Sequence, residues 1–236
     1  LQNIRKPFRV IYIADRDDRV LVAADYKQLE LRVAAVLAPC PILLTDLERG
    51  LDIHSIVLEQ MKDQIPERLQ WNARNVAKTV VFGTLYGRSP RSIAIAFGVQ
   101  VATATAWQEI CFGKYPGLRK YVEDRHADFA RQGYVETPYG RRRYVQNARQ
   151  AVNAPVQSTA NDIALSSLLE LDRQGYDLCL TTHDEIVVEC DRTRVTETAR
   201  AMQEVMSRPI KELGGRCFPV DVKAGDNWYE VKEVKL

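Results

Sequence analysis

The chain has 236 residues, 46% of them hydrophobic, which is enough to bury a substantial core as one large domain or two subdomains. Its 33 Lys and Arg against 31 Asp and Glu leave a formal net charge of +2, so the overall balance by itself announces no nucleic-acid partner. Five cysteines with no CxxC pair, and only three histidines, argue against a zinc site and favour a reduced, cytosolic setting, while no apolar run approaches a membrane span and no signal-peptide pattern opens the chain.

In chain order, residues 1–9 are polar and irregular, and Val10–Ala14 and Val20–Ala24 read as strands joined by the charged turn Asp15–Arg19. Asp25 ends the second apolar run. Helical periodicity follows as far as Leu37, with Leu29, Val33, Val36 and Leu37 on one face, so Asp25 is placed at a strand-to-helix switch where it can double as a cap. Pro39 and Pro41 end that helix; a short one over Ile42–Arg49 is closed by Gly50. Asp52 is a candidate cap for the next, with His54 in its first turn, a position where a lone histidine is usually a surface residue.

Trp71–Tyr86, WNARNVAKTVVFGTLY, carries Arg74, Lys78, Phe82 and Tyr86 at four-residue steps, a stripe of two cations and two aromatics. Such a stripe fits a polyphosphate and a stacked base; it also fits a helix with a solvated basic end and an aromatic end in the core. Gly83 costs a helix interior roughly 1 kcal/mol relative to Ala, which suggests close approach of something flat or bulky beside Phe82. Gly87 is placed at C′. Arg88–Lys120 is mostly helical, Leu118–Gln132 is an amphipathic helix ended by Gly133, and Tyr134–Tyr144 reads as a hairpin turning at Pro138–Gly140.

Arg131, Arg141, Arg142, Arg143 and Arg149 crowd one stretch, suited to a phosphate backbone or to a solvated basic turn. Arg149, Asn153 and Gln157 share a face if helical, with Pro155 kinking that helix or starting it. Amide side chains there suit base edges in a duplex groove, or equally capping and core hydrogen bonds. Thr159–Leu171 continues as a largely buried helix, Thr193–Lys211 is an amphipathic one, and Phe218–Val222 is a closing strand.

Leu178–Cys190, LCLTTHDEIVVEC, reads as a buried strand, a turn at His183-Asp184-Glu185, and a partner strand. No glycine supplies the positive φ that hairpin turns favour, so local turn chemistry does not explain the three polar residues. On the hairpin alone, an acidic solvated turn fits as well as a functional one. If β-pairing brings Asp184 beside Asp25, two carboxylates about 4 Å apart would repel by roughly 4 kcal/mol at an effective dielectric of 20, which invites cations. Hard divalent ions, Mg²⁺ above all, suit carboxylates that also face phosphate.

DYKQLELR, RNVAKTVVFGTLYG and HDE, in this order and spacing, closely resemble the A, B and C motifs of family A DNA polymerases, the bacterial DNA polymerase I group with its phage and mitochondrial relatives. The resemblance runs from LQNI to GDNW. It implies an α+β fold: an antiparallel-sheet palm in two parts, 1–44 and 150–236, a helical fingers subdomain over 45–149, and no thumb. Asp25 and Asp184 would hold two Mg²⁺ ions, Mn²⁺ being able to stand in, with the Tyr26 carbonyl as a further ligand and Glu185 supporting the site. Arg74, Lys78 and His54 would grip the triphosphate, Phe82 would pack on sugar and base, and Tyr86 would lie by the template base. Glu30 would crowd the 2′ position, with Gln28 beside the nucleotide. Arg32, Arg149, Asn153, Gln157 and His183 would contact primer-template DNA.

The implied reaction is template-directed addition of dNTPs to a primer 3′-hydroxyl, in a bacterial cytoplasm at the nucleoid or, for a phage protein, in the host cytoplasm, with no membrane partner. The chain is expected to be the C-terminal part of a longer enzyme or to be completed by a thumb on another chain. Lys27, Asn75, Val81 and Ser158 depart from the family's usual residues, outside the acidic core. Two other classes share features with this reading: a two-metal nuclease, which needs the carboxylates but not the Arg-Lys-Phe-Tyr helix, and a non-catalytic DNA-binding remnant.

Overall fold

A computed structural model describes residues 4–236; the first three residues of the irregular opening segment lie outside the described residues. The regular elements are β1 (Arg19–Tyr26), α1 (Leu29–Leu37), α2 (Pro41–Glu48), α3 (Ile53–Met61), α4 (Ala73–Leu85), α5 (Pro90–Phe97), α6 (Val101–Lys114) and α7 (Pro116–Gln132). Then follow β2 (Tyr134–Glu136), β3 (Arg142–Tyr144), α8 (Ala148–Arg173), β4 (Asp177–Thr182), β5 (Glu185–Asp191), α9 (Val195–Met206), β6 (Val220–Gly225) and β7 (Lys232–Glu233). The fold is mixed helix and antiparallel sheet, as expected. No helix among the described residues is long and apolar enough to cross a membrane.

The chain divides into two compact units, one of residues up to Leu29 with Thr159–Leu236, the other Glu30–Ser158. The family resemblance implied divisions at 44/45 and 149/150; the compact units divide at 29/30 and 158/159, beside the start of α1 and inside α8.

The first unit is built on a five-stranded sheet of order β4-β5-β1-β6-β7. β1 lies at its centre, and Val20 through Ala24 are buried on both faces, which is why that run lacks strict alternation. α9 packs on β1 and β6 through Ala199, Met202, Val205 and Met206. On the sheet, Leu21, Ala23, Val187 and Trp228 form a tight cluster. Three expectations are corrected here. β4 is an edge strand with alternate residues exposed and a bulge between Leu178 and Leu180, because β5 covers only one of its sides. Asp25 lies inside β1, with Lys27 and Gln28 before α1, so it does not cap that helix. The Val10–Ala14 segment is no strand: Lys6–Ile11 forms a 3-10 turn, and only Ile13 makes a bridge, to Asn227.

The second unit is helical around α4, whose Val76, Ala77, Val80 and Val81 are buried against α3 and α6. Gly87 ends α4 at φ 65°, and a Cβ there would meet the Val152 side chain at 2.9 Å. α8 runs through Pro155 rather than starting at it. The Tyr121 hydroxyl donates to the Val152 carbonyl at 2.9 Å, within the turn that the proline loosens.

Candidate active site

The first cluster belongs to the sheet unit. Antiparallel register sets Asp25 opposite Glu185 on β5 and opposite Asp221 on β6, so three acids form one row across neighbouring strands. Asp184 completes the group from the two-residue turn between β4 and β5, where its carbonyl accepts from the Tyr26 amide at 3.3 Å. The preceding residue, His183, holds φ 55°. That left-handed conformation costs a non-glycine residue of order 1–3 kcal/mol and is typical of functional turns. The missing glycine of this hairpin is thus a strained histidine.

The outer acids are each tied to a cation: Glu185 to Arg9 at 3.4 Å and Asp221 to Lys27 at 2.6 Å. Asp25 and Asp184 are instead within hydrogen-bonding reach of each other. Burial of its carboxyl first, then the charges of Asp184 and Glu185, push Asp25 up to about 7, although the residue as a whole keeps an open solvent side. Burial raises Asp184 as well. Burial and mutual repulsion thus disfavour two bare carboxylates side by side, a cost that a bound cation would relieve. No group of three or more His, Cys, Asp or Glu among the described residues forms a metal cage. Two carboxylates without a cage suit Mg²⁺, which keeps waters and takes phosphate oxygens as its other ligands. The Tyr26 ring is buried, its hydroxyl 2.8 Å from Ser167 Oγ.

The second cluster belongs to the helical unit. Asp52 caps α3, accepting from the His54 amide at 3.1 Å and the Ser55 hydroxyl at 2.7 Å, and also takes Arg74 at 2.8 Å. Burial opposes its charge, but these donors outweigh burial and hold the Asp52 carboxyl down at about 2. The His54 ring lies 5.1 Å from Phe82, Phe82 stacks on Tyr86 at 5.6 Å, and the Lys78 ammonium lies 5.9 Å from the Phe82 ring centre. The predicted stripe is therefore one continuous strip of cation, imidazole and rings. Burial lowers the His54 pKa; the Asp52 charge opposes this, and the nearby Lys78 and Arg74 charges add to it. His54 Nδ1 is buried without a hydrogen-bond partner. Beside the strip is a cleft of about 230 Å³ lined by Asn75, Lys78, Thr79, Phe82, Tyr86 and Arg149 among others.

Glu30 accepts the Tyr86 hydroxyl, which ties the expected sugar gate to the end of the strip. Gly83 lines the same cleft, but a Cβ on it would meet Ile93 Cδ1 at 3.3 Å, so part of its role is close packing of α5. Arg32 donates to the Leu47 carbonyl at 2.9 Å, which ties its side chain to the end of α2. Gln28 is exposed at φ 52°.

A further cleft in this unit, of about 490 Å³, is lined by Arg143, Tyr144, Gln146, Gln150, Asn153 and Gln157. Asn153 Oδ1 is buried there without a partner. Of the three residues read at four-residue steps, Arg149 serves the first cleft and Asn153 and Gln157 this one. Elsewhere in the basic stretch, Arg131 pairs with Asp128 and Arg142 with Glu136.

The model of DNA polymerase family A matches residues 1–230. The chain belongs to that family. It is 36% identical to DNA polymerase I of Deinococcus radiodurans over 98% of its own length and 25% of the relative's. It is 33% identical to the thermostable DNA polymerase I of Thermus aquaticus over 98% of the chain and 29% of the relative. The chain thus spans about a quarter of the length of these curated relatives. Among solved structures, the POL domain of Pol1 from M. smegmatis in complex with DNA primer-template and dNTP superposes with a TM-score of 0.81 at 26% identity, covering 97% of this chain and 44% of that one.

For a family A member, the β6 partner of Asp25 was the feature hidden in the sequence. Lys27 looked only like a departure from the motif, and Asp221 carried no signal at all; pairing of β1 with β6 joins them. Asp52 was visible as a cap but not as the partner of Arg74, which requires α3 against α4.

Proposed function

We propose that the chain is the catalytic part of a template-directed DNA polymerase that adds dNTPs to a primer 3′-hydroxyl. The sheet unit would act as palm, and the helical unit as fingers. The observation that carries the reading is the Asp25–Asp184 pair, which strand register holds together while its acidic neighbours are already neutralised. Divalent cations held there, Mg²⁺ or Mn²⁺, would lower the pKa of the 3′-hydroxyl and stabilise charge on the α-phosphate.

Everything else the chain supplies is position and charge. Arg74 and Lys78 would take the β- and γ-phosphates, with Asp52 fixing the Arg74 guanidinium in advance. His54 would donate one neutral N–H to the same group. Phe82 would offer its face to the base and sugar, and Tyr86, stacked on it, would lie toward the template. Glu30, oriented by the Tyr86 hydroxyl, would fill the space of a 2′-hydroxyl. Asn153 and Gln157 would read groove acceptors of the duplex. The cell compartment would be the bacterial cytoplasm, or the host's for a phage protein.

The test is primer extension with one labelled dNTP and excess chain, with and without Mg²⁺. We expect a product one nucleotide longer, only with the templated dNTP and only with the ion. Shortened primer in the absence of dNTP would make the chain a nuclease. Retained duplex at unchanged length would make it a binding remnant.

A further inference from the structure

We propose that Arg9 is a positioning residue that withholds Glu185 from the cation site and so keeps its donor set at two carboxylates; this rests on the metal-binding reading of Asp25 and Asp184. The geometry is direct. Glu185 is a cross-strand neighbour of Asp25, as Asp221 is on the other side, and by register alone both are candidates for a third ligand. Glu185 Oε2 is instead engaged by Arg9 Nη1 at 3.4 Å, with both side chains largely shielded from water, 22% and 16% exposed.

Arg9 itself is held from the other side. Its guanidinium carbon stands 3.9 Å from the centre of the Trp228 ring, and its Nε is buried without a hydrogen-bond partner. Trp228 is 2% exposed and belongs to the core cluster of the sheet. The Trp228 amide donates to the Tyr12 carbonyl at 2.9 Å, and the Tyr12 ring meets the indole edge-on at 5.6 Å. Ile13 bridges Asn227 next to it. The 3-10 turn Lys6–Ile11 that carries Arg9 is therefore anchored at its end to the residue on which Arg9 stacks. A planar, weakly hydrated guanidinium can stack on the indole and reach the carboxylate at once, which a compact ammonium does less well. The chain Trp228–Arg9–Glu185 runs from the core to the row of acids and opposes any swing of Glu185 toward Asp25.

The proposal turns the Arg9–Glu185 pair from a fold contact into a control on metal chemistry. A third carboxylate would bind cations more tightly but would occupy a position that substrate phosphate or hydroxyl needs. Releasing Glu185 should thus tighten the metal and slow the reaction, a split that loss of structure does not produce.

Mn²⁺ binding to the 236-residue chain, followed by electron paramagnetic resonance without DNA or nucleotide, tests it. Asp25→Asn should weaken Mn²⁺ binding by about tenfold or more; unchanged binding there would remove the metal reading itself. With that control in hand, Arg9→Met should tighten Mn²⁺ roughly three- to tenfold. In a Glu185→Gln background the same Arg9→Met change should shift it less than about twofold, because the released side chain is no longer a ligand. Equal shifts in both backgrounds would make Arg9 a diffuse charge, and no shift in either would make it a fold contact; each overturns the proposal. Arg9→Lys supplies a second variant should Arg9→Met fail to fold: it keeps the charge without the stack, and Mn²⁺ binding between wild type and fully released is the expected result. Wild-type binding in Arg9→Lys would show that stacking on Trp228 is not what holds Glu185.

Discussion

The two clusters gather their groups by opposite means. In the sheet unit, Asp25 and Glu185 lie far apart in the chain and meet only through strand register. The result concentrates like charge at one place, with two carboxyls raised and two more paired with Arg9 and Lys27. In the helical unit, Arg74, Lys78, Phe82 and Tyr86 lie on and just past one helix at four-residue steps, and Asp52 meets Arg74 as its opposite charge. The first site is electrostatically frustrated without a cation. In the second, Arg74 already has its counter-charge in Asp52, although His54 Nδ1 is buried without a partner. Substitutions in the sheet cluster should therefore change both chemistry and stability, and those in the helical strip should change ligand capture with little cost to the fold.

The sharpest break of that contrast is at the acids. Asp25→Asn and Asp184→Asn should each lower single-turnover extension by roughly 10³-fold or more, since several kcal/mol of charge stabilisation go with the cation. Duplex binding by gel shift should stay near wild type. Near-normal extension in either variant would move the active centre elsewhere. The next effect is smaller and of another kind. Lys78→Ala and Arg74→Ala should raise the dNTP concentration for half-maximal rate by about 10- to 100-fold, the worth of one charge-assisted phosphate contact. Thermal midpoints of both should shift little, because these side chains are exposed or tied only at the surface.

The same contrast explains what could be read from the chain beforehand. The strip was legible because helical spacing is local: four-step recurrence states which residues share a face, and Gly87 states where the face ends. The acidic pair was legible only as two strand ends that needed a common sheet, and the three motifs in order supplied that expectation. What escaped was long-range pairing. Nothing near Asp221 or Arg9 indicates that one pairs with Lys27 across strands and the other stacks on Trp228. The opening segment misled for the related reason that an apolar run becomes a strand only when a partner strand lies beside it, and Val10–Ala14 has a single bridge.

Glu30 connects the strip to substrate choice. Glu30→Ala should narrow the preference for dCTP over CTP, measured as the ratio of single-turnover efficiencies opposite one template base. Tyr86→Phe keeps the ring on Phe82 but removes the hydroxyl that Glu30 accepts. It should narrow the same ratio by less, because the carboxylate remains but is no longer held. A Tyr86→Phe ratio equal to wild type would show that the Tyr86 tie plays no part in the gate.

The smallest effect separates the two regions by the sign of a pH dependence. Asp25 titrates higher folded than unfolded, so the folded chain binds the extra proton between about 3.9 and about 7. Its contribution is fully present below the unfolded value and is lost as pH rises through the folded one. Asp52 runs the other way: its folded value near 2 makes a contribution that is present above about 3.9 and lost as pH falls. In metal-free buffer, Asp25→Asn should therefore gain thermal midpoint over wild type at pH 8 and much less at pH 5. Asp52→Asn should lose midpoint at both and converge on wild type only toward pH 2. Both shifts should amount to a few degrees at most, since each carboxylate keeps an open solvent side and screening discounts its charge. Millimolar Mg²⁺ should stabilise wild type at pH 8 and leave Asp25→Asn where it was, because only the intact pair offers the folded state a cation site. An Asp25→Asn midpoint below wild type at pH 8 would mean that the sheet cluster is not strained by its own charge, and the contrast between the two regions would then reduce to one of topology.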